Sequence, residues 1–199
     1  MRHASLPLTL AALLALIAVP AFAAPSELVV TTPAKKQTYS AVVTGLVPAA
    51  SATDFFTITG SATKTVRVRS VGCTGTSTAA GALAVTLIER STADTGGTST
   101  APTAVSLDST NAAATATVAA YTANPSAVGT SIGAVTSGLL ITIAPASASL
   151  NGVGFSYRPD DVNQTPTLRG TGQVLAVNAG GSSFTSGASL TCRVTWTEE

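Results

Sequence analysis

Two short motifs in this chain match patterns found around catalytic serines. Residues 129–133, Gly-Thr-Ser-Ile-Gly, fit G-x-S-x-G, and residues 61–64, Ser-Ala-Thr-Lys, fit S-x-x-K. The first pattern needs an imidazole base, and the one histidine is His3, which lies in a segment that we expect to be removed. We therefore interpret residues 129–133 as an ordinary turn. Residues 61–64 come at a turn that enters a predicted strand, and we interpret them as a solvated turn. The predicted mature chain has no imidazole for Ser-His-Asp or Cys-His catalysis, or for a metal site.

Carboxylates are the remaining groups that could do catalysis. The candidates are Asp54, Glu89, Asp94, Asp108, Asp160 and Asp161. A glycosidase needs two acids about 5–10 Å apart, and nothing in the sequence brings two of these together across a cleft. Residues 160–163, Asp-Asp-Val-Asn, offer oxygen ligands suited to Ca²⁺, but the same residues are typical of turns. We predict a protein that is not an enzyme and has no metal or cofactor, with a two-carboxylate glycosidase as a third hypothesis.

Basic and aromatic side chains are the candidates for binding. Three basic residues follow one another along a predicted strand: Lys64, Arg67 and Arg69. Outward charges also protect an edge strand from aggregation, and we favour that interpretation over a ligand site. Tyr121, Tyr157 and Trp196 would form a platform for stacking sugars if they shared an exposed face. The alternation around Trp196 predicts a core position for that ring.

The elements that position these residues are strands, and the clearest is the last. In residues 189–197, Leu190, Cys192, Val194 and Trp196 fall on one side of an extended chain and polar residues on the other. This alternation predicts a half-buried antiparallel strand. The other cysteine, Cys73, lies in an earlier strand-like run, and we expect the two to form a disulfide that joins the first and last thirds of the fold.

Further short apolar runs, separated by turn signals, precede this strand. They are residues 35–45, 54–59, 63–73, 82–90, 102–107, 114–121, 131–144, 152–158 and 167–177. Residues 91–100 are typical of an exposed loop. After residue 23 no segment has a helical period, so we expect an all-β protein: a single antiparallel β-sandwich of about nine short strands over residues 34–199. A jelly roll is one form of it, and a closed barrel is the alternative.

Three details of the pattern concern which residues of a strand face inward. Val66 and Val68 have the opposite parity from Val71 and Cys73, so burying all four requires a bulge near residue 70 or 72. In residues 131–144, the apolar signal is strongest at Leu139, with residues 141 and 143 of the same parity. In residues 167–177, alternation does not choose between two inward faces, one with residues 174 and 176 and the other with 175 and 177.

The N-terminus has the layout of a secretory signal. A basic start at Arg2, a short apolar core and the sequence Ala21-Phe22-Ala23 predict cleavage after residue 23. We expect residues 24–33 to be an extended segment. The chain has 10 basic and 9 acidic residues, and removal of Arg2 leaves a formal charge of zero. This balance argues against nucleic acid as a partner, and we expect a secreted, periplasmic or cell-surface protein with no membrane association after cleavage.

Three segments and the C-terminal tail resemble a known group of proteins. They are residues 56–70 (FTITGSATKTVRVRS), 89–105 (ERSTADTGGTSTAPTAV), 120–126 (AYTANPS) and the final WTEE. They are similar to segments of small uncharacterised β-rich proteins found among bacteriophage virion genes, and the likeness covers roughly residues 54–130 and the tail. The resemblance implies a β-rich fold and a role as a subunit or decoration on a particle surface. It carries no catalytic residue.

These observations lead to two expectations of function. The first is an exported structural protein that acts through protein–protein contacts in assembly, adhesion or particle decoration, with itself or another surface protein as partner. The alternative is a secreted carbohydrate-binding module that binds a glycan through Tyr121, Tyr157 or Trp196.

Overall fold

The protein is all-β in the computed structural model, which describes residues 35–144, 154–159 and 164–199. The predicted signal peptide and residues 24–33 lie outside this part of the chain. The described residues form these strands: β1 (Gln37–Leu46), β2 (Asp54–Thr59), β3 (Thr65–Thr76), β4 (Gly81–Arg90), β5 (Thr98–Thr100), β6 (Ala104–Ser106), β7 (Thr117–Ala123), β8 (Ser131–Ile143), β9 (Phe155–Tyr157), β10 (Thr167–Arg169), β11 (Val174–Asn178) and β12 (Ser189–Glu198). They include no helix with the length and hydropathy that a membrane crossing requires.

Hydrogen bonds connect the strands in one curled sheet with the order β5-β7-β2-β11-β4-β8-β3-β12-β1-β6. Strands β9 and β10 also pair with β3. The β3–β8 ladder is parallel, whereas every other ladder in the described part is antiparallel. The all-β prediction is confirmed, while the two-layer sandwich stays a prediction.

The described residues contain more strands than the nine or so expected. Strand β5 lies in the predicted loop 91–100, and the run predicted as one strand, 167–177, is two strands, β10 and β11. The chain turns between them at Gly170, whose φ of 81° is in the left-handed region that favours glycine. Both differences involve three-residue strands, which are too short for an alternating pattern to show.

The last strand has the buried face that its alternation predicts. Leu190, Cys192, Val194 and Trp196 are all buried on β12. Trp196 pairs with Tyr39 of β1, and the two rings stack with their centroids 5.8 Å apart. Offset aromatic pairs of this kind stabilise a core beyond the area they bury.

The central strands β2 and β11 are buried on both faces. Phe55 and Phe56 are adjacent in β2 and equally buried, and all four residues from Val174 to Val177 are buried in β11. The alternation did not choose which of residues 174–177 face inward. All four are buried, because each face of these strands is covered.

The predicted bulge lies at Arg69. On β12, Thr195 pairs with Ser70 and Trp196 pairs with Val68, so Arg69 is the extra residue. This shift lets both halves of β3 bury their valines, as the parity argument requires.

The residues with the strongest apolar signal in β8 do not form its buried face. Leu139 is 56% exposed, and Leu140 and Thr142 are buried instead. The register with β4 decides this, because Leu139 lies opposite the exposed Ala84 and Leu140 lies opposite the half-buried Leu83. One residue of register moves every side chain to the other face of a strand.

The two cysteines lie directly opposite each other on neighbouring strands. Cys73 of β3 pairs with Cys192 of β12, and their sulfur atoms are 2.12 Å apart. The cross-link closes a loop with a sequence separation of 119 residues. It therefore joins two strands that are distant in sequence, as predicted, at a point where the sheet already pairs them.

Candidate functional sites

The two serine motifs are parts of turns and strands. Ser61 is buried, and its Oγ accepts hydrogen bonds from the backbone N–H groups of Thr63 and Lys64, each at 3.1 Å. The Ser61 hydroxyl in turn donates to the Thr115 Oγ1 at 2.7 Å, since the single proton of the Thr115 hydroxyl goes to the Glu198 carboxylate. The turn at residues 61–64 is therefore held by a buried serine, while Ala62 and Thr63 in the same turn are exposed. Ser131 is the first residue of β8 and pairs with Arg90, so residues 129–133 lead into a strand.

The basic side chains do not protect a sheet edge. Strand β3 has β12 on one side and β8, β9 and β10 on the other, so the edge-strand interpretation is wrong. Arg67 forms an ion pair with Glu199 at 2.6 Å and donates to the Thr167 hydroxyl at 3.3 Å. Lys64 precedes the strand, and Arg69 is the bulge residue. The three residues therefore do not form one regular stripe.

The three aromatic candidates occupy different environments. Trp196 is fully buried, as its parity predicts, and presents no face for stacking. Burial raises the pKa of Tyr121, and the nearby charges of Asp94 and Asp54 raise it further, which places this ring beside buried acids. Tyr157 lines a surface groove that does not include Tyr121. The structure therefore leaves Tyr157 as the aromatic residue best placed to contact a ligand.

An ion pair is buried at the end of β4. Arg90 donates from Nε to Oδ2 of Asp54 at 2.5 Å and from Nη2 to Oδ1 at 2.7 Å. Its Nη1 donates to the carbonyl oxygen of Gly129 at 2.6 Å, and Asn178 donates to Oδ1 of Asp54 at 2.5 Å. Bidentate pairing of this kind neutralises the Asp54 carboxylate and fixes its direction.

A second carboxylate, Asp94, lies against this ion pair. Its Oδ1 accepts a hydrogen bond from the N–H of Gly129 at 2.9 Å and lies 4.0 Å from Nε of Arg90. Its Oδ2 is buried and has no hydrogen-bond partner among the described residues. Burial raises the pKa of Asp94 to about 6, and the Asp54 charge also raises it, against the opposing effects of the Gly129 N–H and Arg90.

The fold thus brings together two of the candidate acids, but not in a cleft. The side chains of Asp54 and Asp94 are 0% and 3% exposed, so this pair cannot receive a sugar. Sequence reasoning assigned Asp94 to an exposed loop and missed the cluster. The available signal was Arg90 at the end of a strand that is mostly apolar up to Ile88, since a buried arginine requires an acidic partner.

The cluster anchors two loops that run side by side. Residues 91–97 follow β4, and residues 124–130 precede β8. Thr95 and Ala127 exchange backbone hydrogen bonds, and Ser91 donates to the carbonyl oxygen of Thr130 at 2.9 Å. Gly129 contacts both Arg90 and Asp94 from the second loop, so the ionic cluster and the backbone bonds hold the same pair of loops.

Glu198 is a third buried acid, and it was not among the acids that the sequence suggested. Its carboxylate accepts hydrogen bonds from the N–H groups of Thr115 (3.0 Å) and Ala116 (2.9 Å), the Thr115 hydroxyl (2.7 Å) and Nε1 of Trp196 (3.0 Å). Burial acts to raise the pKa of Glu198, but these donors outweigh it and hold the pKa below its usual value. The C-terminal Trp-Thr-Glu-Glu tail therefore ties β12 to the segment before β7.

The surface groove contains several polar groups that make no hydrogen bond to another residue of the described part of the chain. It has a volume of about 360 Å³, and its lining residues are Glu89, Val135, Tyr157, Gln164, Thr165, Pro166 and Thr167. Burial raises the pKa of Tyr157. The Thr165 hydroxyl is buried without a hydrogen-bond partner among the described residues. The groove is the place in the described structure where the sequence-predicted candidates Glu89 and Tyr157 meet.

The described residues contain no group of three or more His, Cys, Asp or Glu side chains arranged to hold a metal ion. The predicted Ca²⁺ ligands at residues 160–163 lie outside them. Comparison of the chain with protein-family models, curated proteins and solved structures finds no match.

Proposed function

We propose that this protein is an exported structural protein that assembles through contacts between copies of itself. Export rests on the secretory layout of residues 1–23 and on the Cys73–Cys192 disulfide, since disulfides persist mainly in oxidising compartments. Decoration of a particle surface, which the resemblance of residues 54–130 and the tail implies, is one setting for such assembly.

The observation that carries the proposal is an apolar face at an open edge of the sheet. Strand β6 is the last strand of the order, paired on one side with β1. Val105 of β6 is 58% exposed, Leu107 is 64% exposed and Val42 of β1 is 47% exposed. Val105 lies opposite Ser40, so Val42 and Val105 are diagonal neighbours on the same face of the sheet.

An open edge is a template for another strand. On the side away from β1, β6 pairs with no other described strand, so its N–H and C=O groups there can pair with an identical strand from a second copy, related by a twofold axis. The predicted mature chain has a formal charge of zero, and only 10% of the whole chain is charged. Two copies therefore meet little electrostatic repulsion, and apolar side chains beside the new ladder would be buried.

Sedimentation velocity over a concentration series tests this proposal. We expect the wild-type protein to self-associate and Val105→Lys to remain monomeric, because a lysine at the edge opposes strand pairing. Ile132→Lys is a matched control, since Ile132 is also 58% exposed but lies on β8, away from the β6 edge. A wild-type protein that is only monomeric at high concentration, or equal effects of the two lysines, would refute the proposal.

A further inference from the structure

We propose that the groove between β4, β8, β9 and β10 binds a neutral sugar. Tyr157 enters it from β9, where it pairs with Val71, and Thr167 enters from β10, where it pairs with Arg67. Glu89 of β4 lies in the wall that β4 and β8 form. Val135, the extra residue of a β8 bulge between the positions opposite Ile88 and Leu87, completes that wall. Three different parts of the sheet therefore contribute to one concave site.

The strands hold the groove in place without the help of a ligand. The carbonyl oxygen of Pro166 accepts a hydrogen bond from the N–H of Val68 at 3.0 Å, and the Thr167 hydroxyl donates to the carbonyl oxygen of Thr165 at 2.9 Å. A volume of about 360 Å³ lies at the small end of the range for ligand pockets, about 300–1,000 Å³. The site is thus preformed and suited to a small ligand or to the end of a larger one.

Three of the polar side chains that line the groove have no hydrogen bond to another described residue. The Glu89 carboxylate, the Tyr157 hydroxyl and the Gln164 amide make no hydrogen bond with any other described residue. These groups offer carboxylate and carbonyl acceptors together with amide and hydroxyl donors. A ligand that both donates and accepts can use all of them.

Charge and shape decide between ligand classes. Glu89 is the one charged residue among the described residues of the lining, so an anionic ligand would meet a like charge. A small cation would satisfy Glu89 and stack on the Tyr157 ring, but it would leave the donors of Gln164 and Tyr157 unused. A neutral sugar offers hydroxyl groups that donate and accept, and an apolar ring face that packs on an aromatic side chain. The mixed donors and acceptors therefore favour a neutral sugar.

The inference does not depend on self-association, because the groove residues lie on strands other than β6. Titration of the ¹⁵N-labelled, oxidised protein with three neutral probes tests it by NMR: methyl α-glucoside, methyl β-galactoside and methyl α-mannoside. We expect at least one of them to shift the amide signals of Tyr157, Glu89 and Thr165 in a saturable manner. Methyl β-glucuronide, as the acidic probe, and tetramethylammonium, as the cationic probe, should bind more weakly.

Two variants separate ligand contact from an effect on folding. Tyr157→Ala should weaken binding by about tenfold through loss of the ring contact. Glu89→Gln should weaken binding of the neutral sugar by about five- to tenfold and reduce the discrimination against the glucuronide. Glu89→Gln keeps the shape of the side chain, so it remains informative if Tyr157→Ala does not fold. Asp108→Asn, an exposed acid outside the groove, is the matched control and should leave affinity unchanged.

Any one of three results would overturn the proposal. The first is that none of the neutral probes shifts the groove amide signals, and the second is that tetramethylammonium binds more tightly than every sugar. The third is that Glu89→Gln changes the affinity no more than Asp108→Asn does.

Discussion

Asp94→Asn should stabilise the protein at neutral pH. Asp94 and Asp54 are two buried carboxylates around one guanidinium, and Arg90 already directs Nε and Nη2 to Asp54. The ionised Asp94 carboxylate therefore remains incompletely compensated. The asparagine amide has the same shape, can keep the hydrogen bond from Gly129 and carries no charge. It mimics the protonated form of Asp94.

The size of the effect follows from the pKa. The pKa of Asp94 is raised from 3.8 to about 6 in the folded state. Each pKa unit corresponds to about 1.36 kcal/mol, so ionisation of Asp94 at pH 7 lowers the free energy of unfolding by about 3 kcal/mol. Because the folded pKa is raised, this cost is present above pH 6. It is relieved as the pH falls through 6 and has gone below the unfolded value of 3.8.

Urea unfolding at a series of pH values from about 4 to 8 measures this directly, with the fluorescence of the buried Trp196 as the signal. We expect Asp94→Asn to exceed the wild type by about 3 kcal/mol at pH 7 and the difference to shrink toward zero near pH 4. The ¹³C shift of the Asp94 carboxyl should titrate with a midpoint near 6. Asp108 is exposed and hydrogen bonding to Thr110 lowers its pKa, so Asp108→Asn should not stabilise the protein at neutral pH. A difference that does not vary with pH, or a variant less stable than the wild type at pH 7, would refute this reasoning.

Three further predictions concern stability, each measured by thermal or urea unfolding. Glu198→Gln should cost about 2–4 kcal/mol at pH 7 because charge-assisted hydrogen bonds become neutral ones; since the folded pKa of Glu198 is lowered, this loss should diminish as the pH falls below 4.5. Replacing Cys73 and Cys192 together by serine should cost about 3–5 kcal/mol through the freed 119-residue loop. Gly129→Ala should cost about 1–3 kcal/mol, because a Cβ there would lie 1.8 Å from the carbonyl oxygen of Thr92.

Matched variants test the cause in each case. Glu199→Gln removes an acid whose side chain is 30% exposed and should cost no more than about 1 kcal/mol. Gly133→Ala adds a Cβ that meets nothing within 4 Å and should be nearly neutral. For the disulfide, reduction of the wild-type protein should reproduce the loss seen with the double serine variant. Equal effects of a variant and its control would contradict the corresponding explanation.

The sequence was most informative where a strand has one buried face. On β12 and at the start of β1, apolar and polar residues alternate, because one side of each strand packs on the core and the other faces outward. The same alternation predicted the bulge in β3, which lies at Arg69. Local pattern was sufficient here because a period of two is a property of the strand itself. The Cys73–Cys192 pair also followed from sequence, since these are the only two cysteines in the chain.

The alternation of apolar and polar residues did not predict burial where the neighbouring strands decide which face is covered. The buried face of β8 depends on its register with β4, which exposes Leu139 and buries Leu140 although both are apolar. The groove around Tyr157 depends on which strands pair with β3. Strands β9 and β10 have three residues each, which is too short for their sequences to predict that pairing.

The buried polar sites show most clearly what only the tertiary structure could decide. Asp54 lies 36 residues from Arg90 in the sequence, Gly129 lies 35 residues from Asp94, and Thr115 lies 83 residues from Glu198. A buried charge is stable only with partners that surround it in space. Local sequence therefore determined the strands and the covalent cross-link of this protein. The long-range folding of the sheet determined where its charges could be buried and which of its side chains line the surface groove.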